Sequence, residues 1–142
     1  GRLQFASAGH EPVLLLSKGG IEPLDSTGIP LGIVPASNWK TAERWLQPGD
    51  RILMVTDGIA ESHDGNDHQF GRGRVLDMFA NSHDASLEEF VQRLIEQVNQ
   101  HGGSTPQEDD VTVLSFECQA IGIQNDGFCH PHHLTILREA VT

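Results

Sequence analysis

Ile52-Leu53-Met54-Val55 is a continuous apolar run. It belongs to Arg51-Ile52-Leu53-Met54-Val55-Thr56-Asp57-Gly58, which follows the turn residues Gln47-Pro48-Gly49-Asp50 and ends in an acidic residue and a glycine. A short run of this kind, bounded by turn signals, reads as a buried strand. A buried strand needs a sheet around it, and the rest of the sequence offers further strands. Val111-Thr112-Val113-Leu114-Ser115-Phe116 is a second β-rich run, and Leu3-Gln4-Phe5 and Thr41 to Leu46 read as strands as well. Val13-Leu14-Leu15-Leu16 and Ile21-Glu22-Pro23-Leu24 flank Ser17-Lys18-Gly19-Gly20, a hairpin signal. Pro23 has no N–H to give to a ladder, so the spacing predicts an edge position for the second of these strands.

Helical periodicity enters later. Ser86-Leu87-Glu88-Glu89 is a capping box, in which Ser and Glu reciprocally satisfy free backbone N–H groups. Leu87, Phe90, Val91, Leu94, Ile95 and Val98 then follow the i, i+3, i+4 pattern, and Gly102-Gly103 supplies the stop. Arg74 to Ala80 carries Val75, Leu76 and Phe79 at helical spacing. Beyond Glu117 the character changes: Cys118 to Asn125 is weakly apolar and Asp126-Gly127 is a turn. Pro131 to Val141 fits a short helix with Leu134, Leu137 and Val141 on one side. The β-branched Thr135 and Ile136 suit a strand as well.

The 142 residues suffice for one ordinary domain. Acidic residues number 20 against 9 basic ones, a formal net charge of −11. That sign argues against binding nucleic acid through its phosphates, which takes basic neutralisation. It fits a protein that uses carboxylates for hard cations, with solubility as the plain alternative. No apolar run approaches the roughly 20 residues of a membrane span, and no basic flank with an apolar core opens the chain. Without an initiator Met, the sequence is expected to begin inside a longer protein. Two cysteines, Cys118 and Cys129, are too few for a disulfide scaffold, so a cytoplasmic location is the expectation.

Two acidic sites share one setting. Asp57 ends a buried strand in front of a glycine, and Glu108-Asp109-Asp110 stands immediately before another strand. If those strands are antiparallel neighbours, the carboxylates converge at one sheet edge. With a glycine carbonyl they form the hard oxygen set that Mg²⁺ or Mn²⁺ takes. Such an ion acidifies bound water and polarises a phosphoryl oxygen. Spacing alone leaves open a strand-end turn at Asp57-Gly58 and a solvated acidic face at 108–110. Cys129, His130, His132 and His133 offer softer donors, in a spacing that matches no structural zinc pattern.

Six segments in order carry a resemblance. Val55-Thr56-Asp57-Gly58-Ile59-Ala60-Glu61 resembles the "TDG, two residues, E" segment of the SpoIIE-type branch of the PPM (type 2C) protein serine/threonine phosphatases. Asp109-Asp110-Val111-Thr112-Val113 is similar to that family's closing "DD-x-T" segment, and Ala8-Gly9-His10-Glu11-Pro12 to its "AGH-x-P". Gly28-Ile29-Pro30-Leu31-Gly32 matches "G-x-PLG", Leu46-Gln47-Pro48-Gly49-Asp50 matches "L-x-PGD", and Phe70-Gly71 matches an "FG" before a helix.

The resemblance implies an α+β sandwich, two antiparallel sheets flanked by helices. It implies a two-metal Mg²⁺/Mn²⁺ centre at one end, where a metal-bridging water attacks the phosphorus of a phosphoserine or phosphothreonine. By position Asp57 and Asp109 are the implied metal ligands. Asp110 is an implied neighbour, Glu61 either caps a short helix after the metal loop, the plainer reading, or lies behind the ligands, and Gly58 takes part through its backbone. His10 assists as an acid or orients phosphate, or else hydrogen-bonds its own turn, which is the plainer reading. The implied substrate is a phosphorylated regulatory protein of the partner-switching, anti-anti-sigma type, with a sensor or receiver domain upstream. Neither nucleic acid nor membrane is an implied partner.

The family's N-terminal segments, a "G-D" strand and a "D-x-x-GHG" segment that supply further ligands, have no match here. Residues 1–117 are therefore expected to be the C-terminal part of such a domain, incomplete at its N-terminus, and 118–142 an extension. A fragment with two of the acidic ligands is expected to be inactive alone. The alternative is a non-catalytic, phosphatase-like interaction module.

Overall fold

The structure, a computed structural model, describes residues 1–120 and 129–139, with side chains as far as Gln119. Seven strands and three helices follow in the order β1 (Arg2–Phe5), β2 (Val13–Ser17), β3 (Gly20–Leu24), β4 (Ala42–Trp45), β5 (Arg51–Val55), α1 (Asp57–Ala60), α2 (Arg72–Ala80), α3 (Leu87–Gly102), β6 (Val111–Ala120) and β7 (Cys129–Glu139). They form two antiparallel sheets. One has two strands, β1-β4, and the other five, in the order β3-β2-β5-β6-β7.

The continuous apolar runs are explained by what lies on the two faces of the larger sheet. Neighbouring residues on a strand point to opposite faces. Leu16 and Leu53 join Ile59, Phe79, Phe90, Val91, Leu94 and Val98 under the helices. Leu15 and Ile52 instead join Leu24, Leu46 and Cys118 on the side that β1 and β4 partly cover. Both faces are therefore apolar, and strict alternation is lost. On β1, where only one face is covered, alternation survives: Leu3 and Phe5 are half-buried, and Arg2 and Gln4 are exposed.

The hairpin expected at residues 17–20 is present, closed by the pair Ser17–Gly20, with Gly20 at φ +109°. Pro23 lies in the edge strand β3, opposite Leu14. The capping box is complete: the Ser86 hydroxyl accepts from Glu89 N–H at 3.1 Å, and the Glu89 carboxylate accepts from Ser86 N–H at 3.0 Å. Buried Arg51 ties the α2–α3 connection to the sheet. Its Nε donates to Glu117 at 2.7 Å, and its two Nη groups donate to the carbonyls of Ser82 and Ala85.

Two expectations need correction. The strand ending in Asp57-Gly58 stops at Val55, and Asp57 instead opens the helical turn α1. Residues 131–139 are not helical but lie in strand β7, which pairs with β6 over Val111 to Ala120 with a register shift at Glu117/Cys118. Pairing with a long neighbouring strand lets the β-branched preference of Thr135 and Ile136 prevail over a weak helical pattern. The turn at Asp126-Gly127 and most of the weakly apolar 118–125 stretch lie outside the described residues. So do the side chains of Cys129, His130, His132 and His133.

Candidate active site

β5 and β6 are antiparallel neighbours, with Val55 opposite Val113. Asp57, two residues past the end of β5, and Asp109-Asp110, just ahead of β6, are therefore carried to the same end of the sheet. Their juxtaposition is fixed by Thr56. Its N–H donates to Thr112 O at 3.1 Å, and its hydroxyl donates to Asp110 O at 2.8 Å and accepts from Thr112 N–H at 2.9 Å. One side chain thus clasps the start of α1 to the strand that follows the second acidic segment.

Gly58 completes the approach. A Cβ there would stand 2.7 Å from Asp110 O, closer than side-chain carbons come, and a tight 3.3 Å from Asp109 O. The glycine of the "TDG" segment is required because a neighbouring backbone occupies the space. This need, not a positive φ, is the reason for it.

The carboxylates themselves are exposed. Asp57 Oδ1 accepts from Gly58 N–H at 3.1 Å, and Asp109 Oδ1 accepts from Asp110 N–H at 2.7 Å. None of the ion pairs among the described residues involves Asp57 or Asp109. Exposed carboxylates outside those ion pairs, carried to one end of the sheet, are the donor type that a hard divalent ion takes through one or two carboxylates while keeping several waters. Among the described residues no group of three or more His, Cys, Asp or Glu side chains is placed to hold a metal. Asp57 and Asp109 thus offer the donor chemistry of such an ion without by themselves making a complete site.

The two sides of α1 open on different spaces. Gly58, Glu61, His63, Gly102 and Asp109 line a cavity of about 380 Å³. Asp57 faces a separate groove together with Thr56, Val55 and residues of α2. Glu61 stands at the C-terminal cap of α1, its N–H donating to Asp57 O at 2.9 Å. After it, Asp64 is held well below the usual carboxylate range, at about 2, by the backbone N–H groups of His68 and Asn66. His10 makes neither a hydrogen bond nor an ion pair with Asp57. Its Nδ1 lies 2.7 Å from Glu11 O, and it lines the space between the sheets with Phe5 and Met54.

Thr56 is the residue that sequence reasoning passed over. Its signal was a hydroxyl between an apolar strand and an acidic residue, but the partner it clasps is 54 residues away.

This fold is that of a PP2C-type (PPM) phosphatase domain. The SiaA-PP2C domain of Pseudomonas aeruginosa matches it with a TM-score of 0.71 at 27% identity, over 82% of this chain and 46% of that chain. The phosphatase domain of the cell fate determinant SpoIIE from Bacillus subtilis (Mn presoaked) matches in fold, with a TM-score of 0.64 at 20% identity over 87% and 53%. The chain belongs to the Stage II sporulation protein E (SpoIIE) family, whose model matches residues 1–119.

Protein IcfG of Synechocystis sp. (strain ATCC 27184 / PCC 6803 / Kazusa) is 29% identical over 116 residues, 81% of this chain and 18% of that protein. The phosphoserine phosphatase RsbU of Bacillus subtilis (strain 168) is 34% identical over 64 residues, 44% of this chain and 19% of that protein. The chain thus spans about a fifth of the length of these curated relatives and about half of the solved domains.

Proposed function

We propose that this chain is the C-terminal part of a metal-dependent protein serine/threonine phosphatase acting on phosphoserine or phosphothreonine of a regulatory protein. The observation that carries this reading is the Thr56 clasp, which holds Asp57 and Asp109 at one sheet end in a chain of the SpoIIE family. The similarity to RsbU, a phosphoserine phosphatase, supports it.

Asp57 and Asp109 are the proposed ligands of Mg²⁺ or Mn²⁺, and Asp110 and Glu61 flank them. When bound, such ions supply acidified water and positive charge against the phosphoryl group. The chain's own part is to position. Thr56 fixes the spacing of the two acidic segments, and Gly58 lets their backbones close. His10 shapes its own turn. Two carboxylates are too few for a two-metal centre. The remaining donors are proposed to come from the portion of the domain that the solved relatives possess and this chain does not span, so the fragment alone is inactive. Residues 1–117 are read as domain and 118–142 as an extension that adds β7 to its sheet.

The proposed substrate is a partner-switching regulator of the anti-anti-sigma type. A sensor or receiver domain upstream and a cytoplasmic setting complete the reading, with neither nucleic acid nor membrane as partner. No helix among the described residues is long and apolar enough to cross a membrane.

In the intact protein, Asp57→Asn is expected to abolish Mn²⁺-dependent hydrolysis of para-nitrophenyl phosphate while leaving the circular dichroism spectrum unchanged. Activity surviving that change would overturn the ligand assignment. One observation favours a second reading, a non-catalytic interaction module: two acidic ligands without a third among the described residues. A well-folded intact protein, inactive on both para-nitrophenyl phosphate and a phosphoserine protein, would establish that second reading.

A further inference from the structure

α2 leaves part of the larger sheet uncovered. Leu14, Ile21 and Val55 pack against the edge of the helix-side core yet stay half-buried, and Leu76 on α2 is 37% exposed. Between them runs a groove of about 520 Å³ with an apolar floor. Thr56 and Asp57 line this same groove, so it is continuous with the candidate metal ligand.

Its rim is acidic. Glu11, Asp57 and Asp77 line it against one cation, Arg72. Arg72 Nη2 donates to Glu11 at 2.5 Å, which offsets that pair. Asp77 stands about one and a half turns further along α2. It enters none of the ion pairs among the described residues.

We propose that this groove receives the stretch of the phosphoprotein substrate beside its phosphoserine, seating an apolar side chain on the floor and a Lys or Arg against Asp77. This rests on the phosphatase reading for the identity of the occupant. The complementarity is specific. An aliphatic side chain removes Leu14, Ile21 and Leu76 from water, while a basic neighbour meets the uncompensated rim charge. An acidic neighbour would meet repulsion instead.

The test is a fluorescence-polarisation titration, run on the protein without divalent cation so that no turnover intervenes. The probes are fluorescein-labelled phosphoserine peptides carrying Leu, Ala or Asp at each of the four positions on either side, with Lys or Glu beyond. At one position Leu is expected to bind about tenfold more tightly than Ala, the lower end of what burying one such side chain yields. The unphosphorylated peptides are expected to keep that ratio. Leu76→Lys is expected to erase it, Asp77→Lys to reverse the Lys-over-Glu preference, and Leu31→Lys, at an exposed residue outside the groove lining, to preserve both.

Equal binding of Leu and Ala peptides at every position would overturn the proposal, as would a preference that survives Leu76→Lys. Self-association in sedimentation that Leu76→Lys abolishes, without peptide discrimination, would assign the groove to a second copy of the chain and overturn it too. Mn²⁺-dependent phosphate release from the intact protein reports separately on the phosphatase reading. Discrimination without release would leave the groove standing and remove the phosphatase.

Discussion

Replacing Gly58 by Ala sets two effects against each other, and the structure decides between them. Gly58 lies in α1, where Ala is favoured over Gly by about 0.8–1.0 kcal/mol. The added Cβ would stand 2.7 Å from the Asp110 carbonyl oxygen, about 0.7 Å inside the ordinary contact of 3.4 Å. The obstacle is backbone, held by Thr56 at 2.8 Å on one side and committed to β6 on the other. It cannot turn aside as a flexible side chain would. Overpacking of this kind costs about 1–3 kcal/mol, so the net expectation is a destabilisation of about 1 kcal/mol.

In urea that is a midpoint lowered by about 0.5 M with an unchanged slope. The functional loss is expected to be larger. Pushing the two acidic segments apart by a good fraction of an ångström should lower Mn²⁺-dependent turnover of the intact protein on the order of 10²-fold. Urea unfolding by fluorescence and Mn²⁺-dependent phosphate release read the two quantities. A Gly58→Ala protein that is as stable as its parent and fully active would refute the close approach of α1 to Asp110.

Further consequences are open to measurement. Arg51→Met leaves Glu117 without its guanidinium and frees the carbonyls of Ser82 and Ala85, so a loss of about 3 kcal/mol in chemical denaturation is expected. Adding Glu117→Met should recover part of it, and a double mutant no better than the single would refute the pairing. Ser86→Ala removes one half of the capping box and should cost about 1 kcal/mol, read as a lower melting temperature in calorimetry. For Asp64 the folded carboxyl titrates at about 2, below its unfolded value. Its contribution is therefore full above about pH 4 and lost as pH falls towards 2. A carboxyl titration by NMR with a midpoint near 4 would contradict the hydrogen bonds from His68 and Asn66.

What could be read in advance was what is local. The Ser86 capping box and the six apolar residues behind it are determined within a few turns of chain. The 17–20 hairpin follows from two glycines and the runs beside them. The pairing of Asp57 with Asp109 was legible only conditionally, because it depends on β5 and β6 being neighbours, and no residue in either strand announces its partner. The strand that starts at Cys129 stayed one of two readings for the same reason. A period of three to four in Leu134, Leu137 and Val141 points one way, and hydrogen bonds to a strand already in place decide the other. Thr56 shows the limit most plainly. Its side chain does nothing within its own segment, and its two partners come from beyond residue 108.

Pro23 sets a limit on assembly. Counting from the Ser17–Gly20 pair that closes the hairpin, ladder bonds alternate along β3, and residue 23 falls where a backbone N–H would point away from β2. Proline has none to point. The outer border of β3 therefore lacks a donor at the fourth of its five residues, and an incoming strand would bury a carbonyl of its own against a pyrrolidine ring. Lateral growth of the sheet into ribbons or fibrils is disfavoured on this border by a single residue. A partner on that side meets one backbone donor fewer and has to rely more on contacts between side chains.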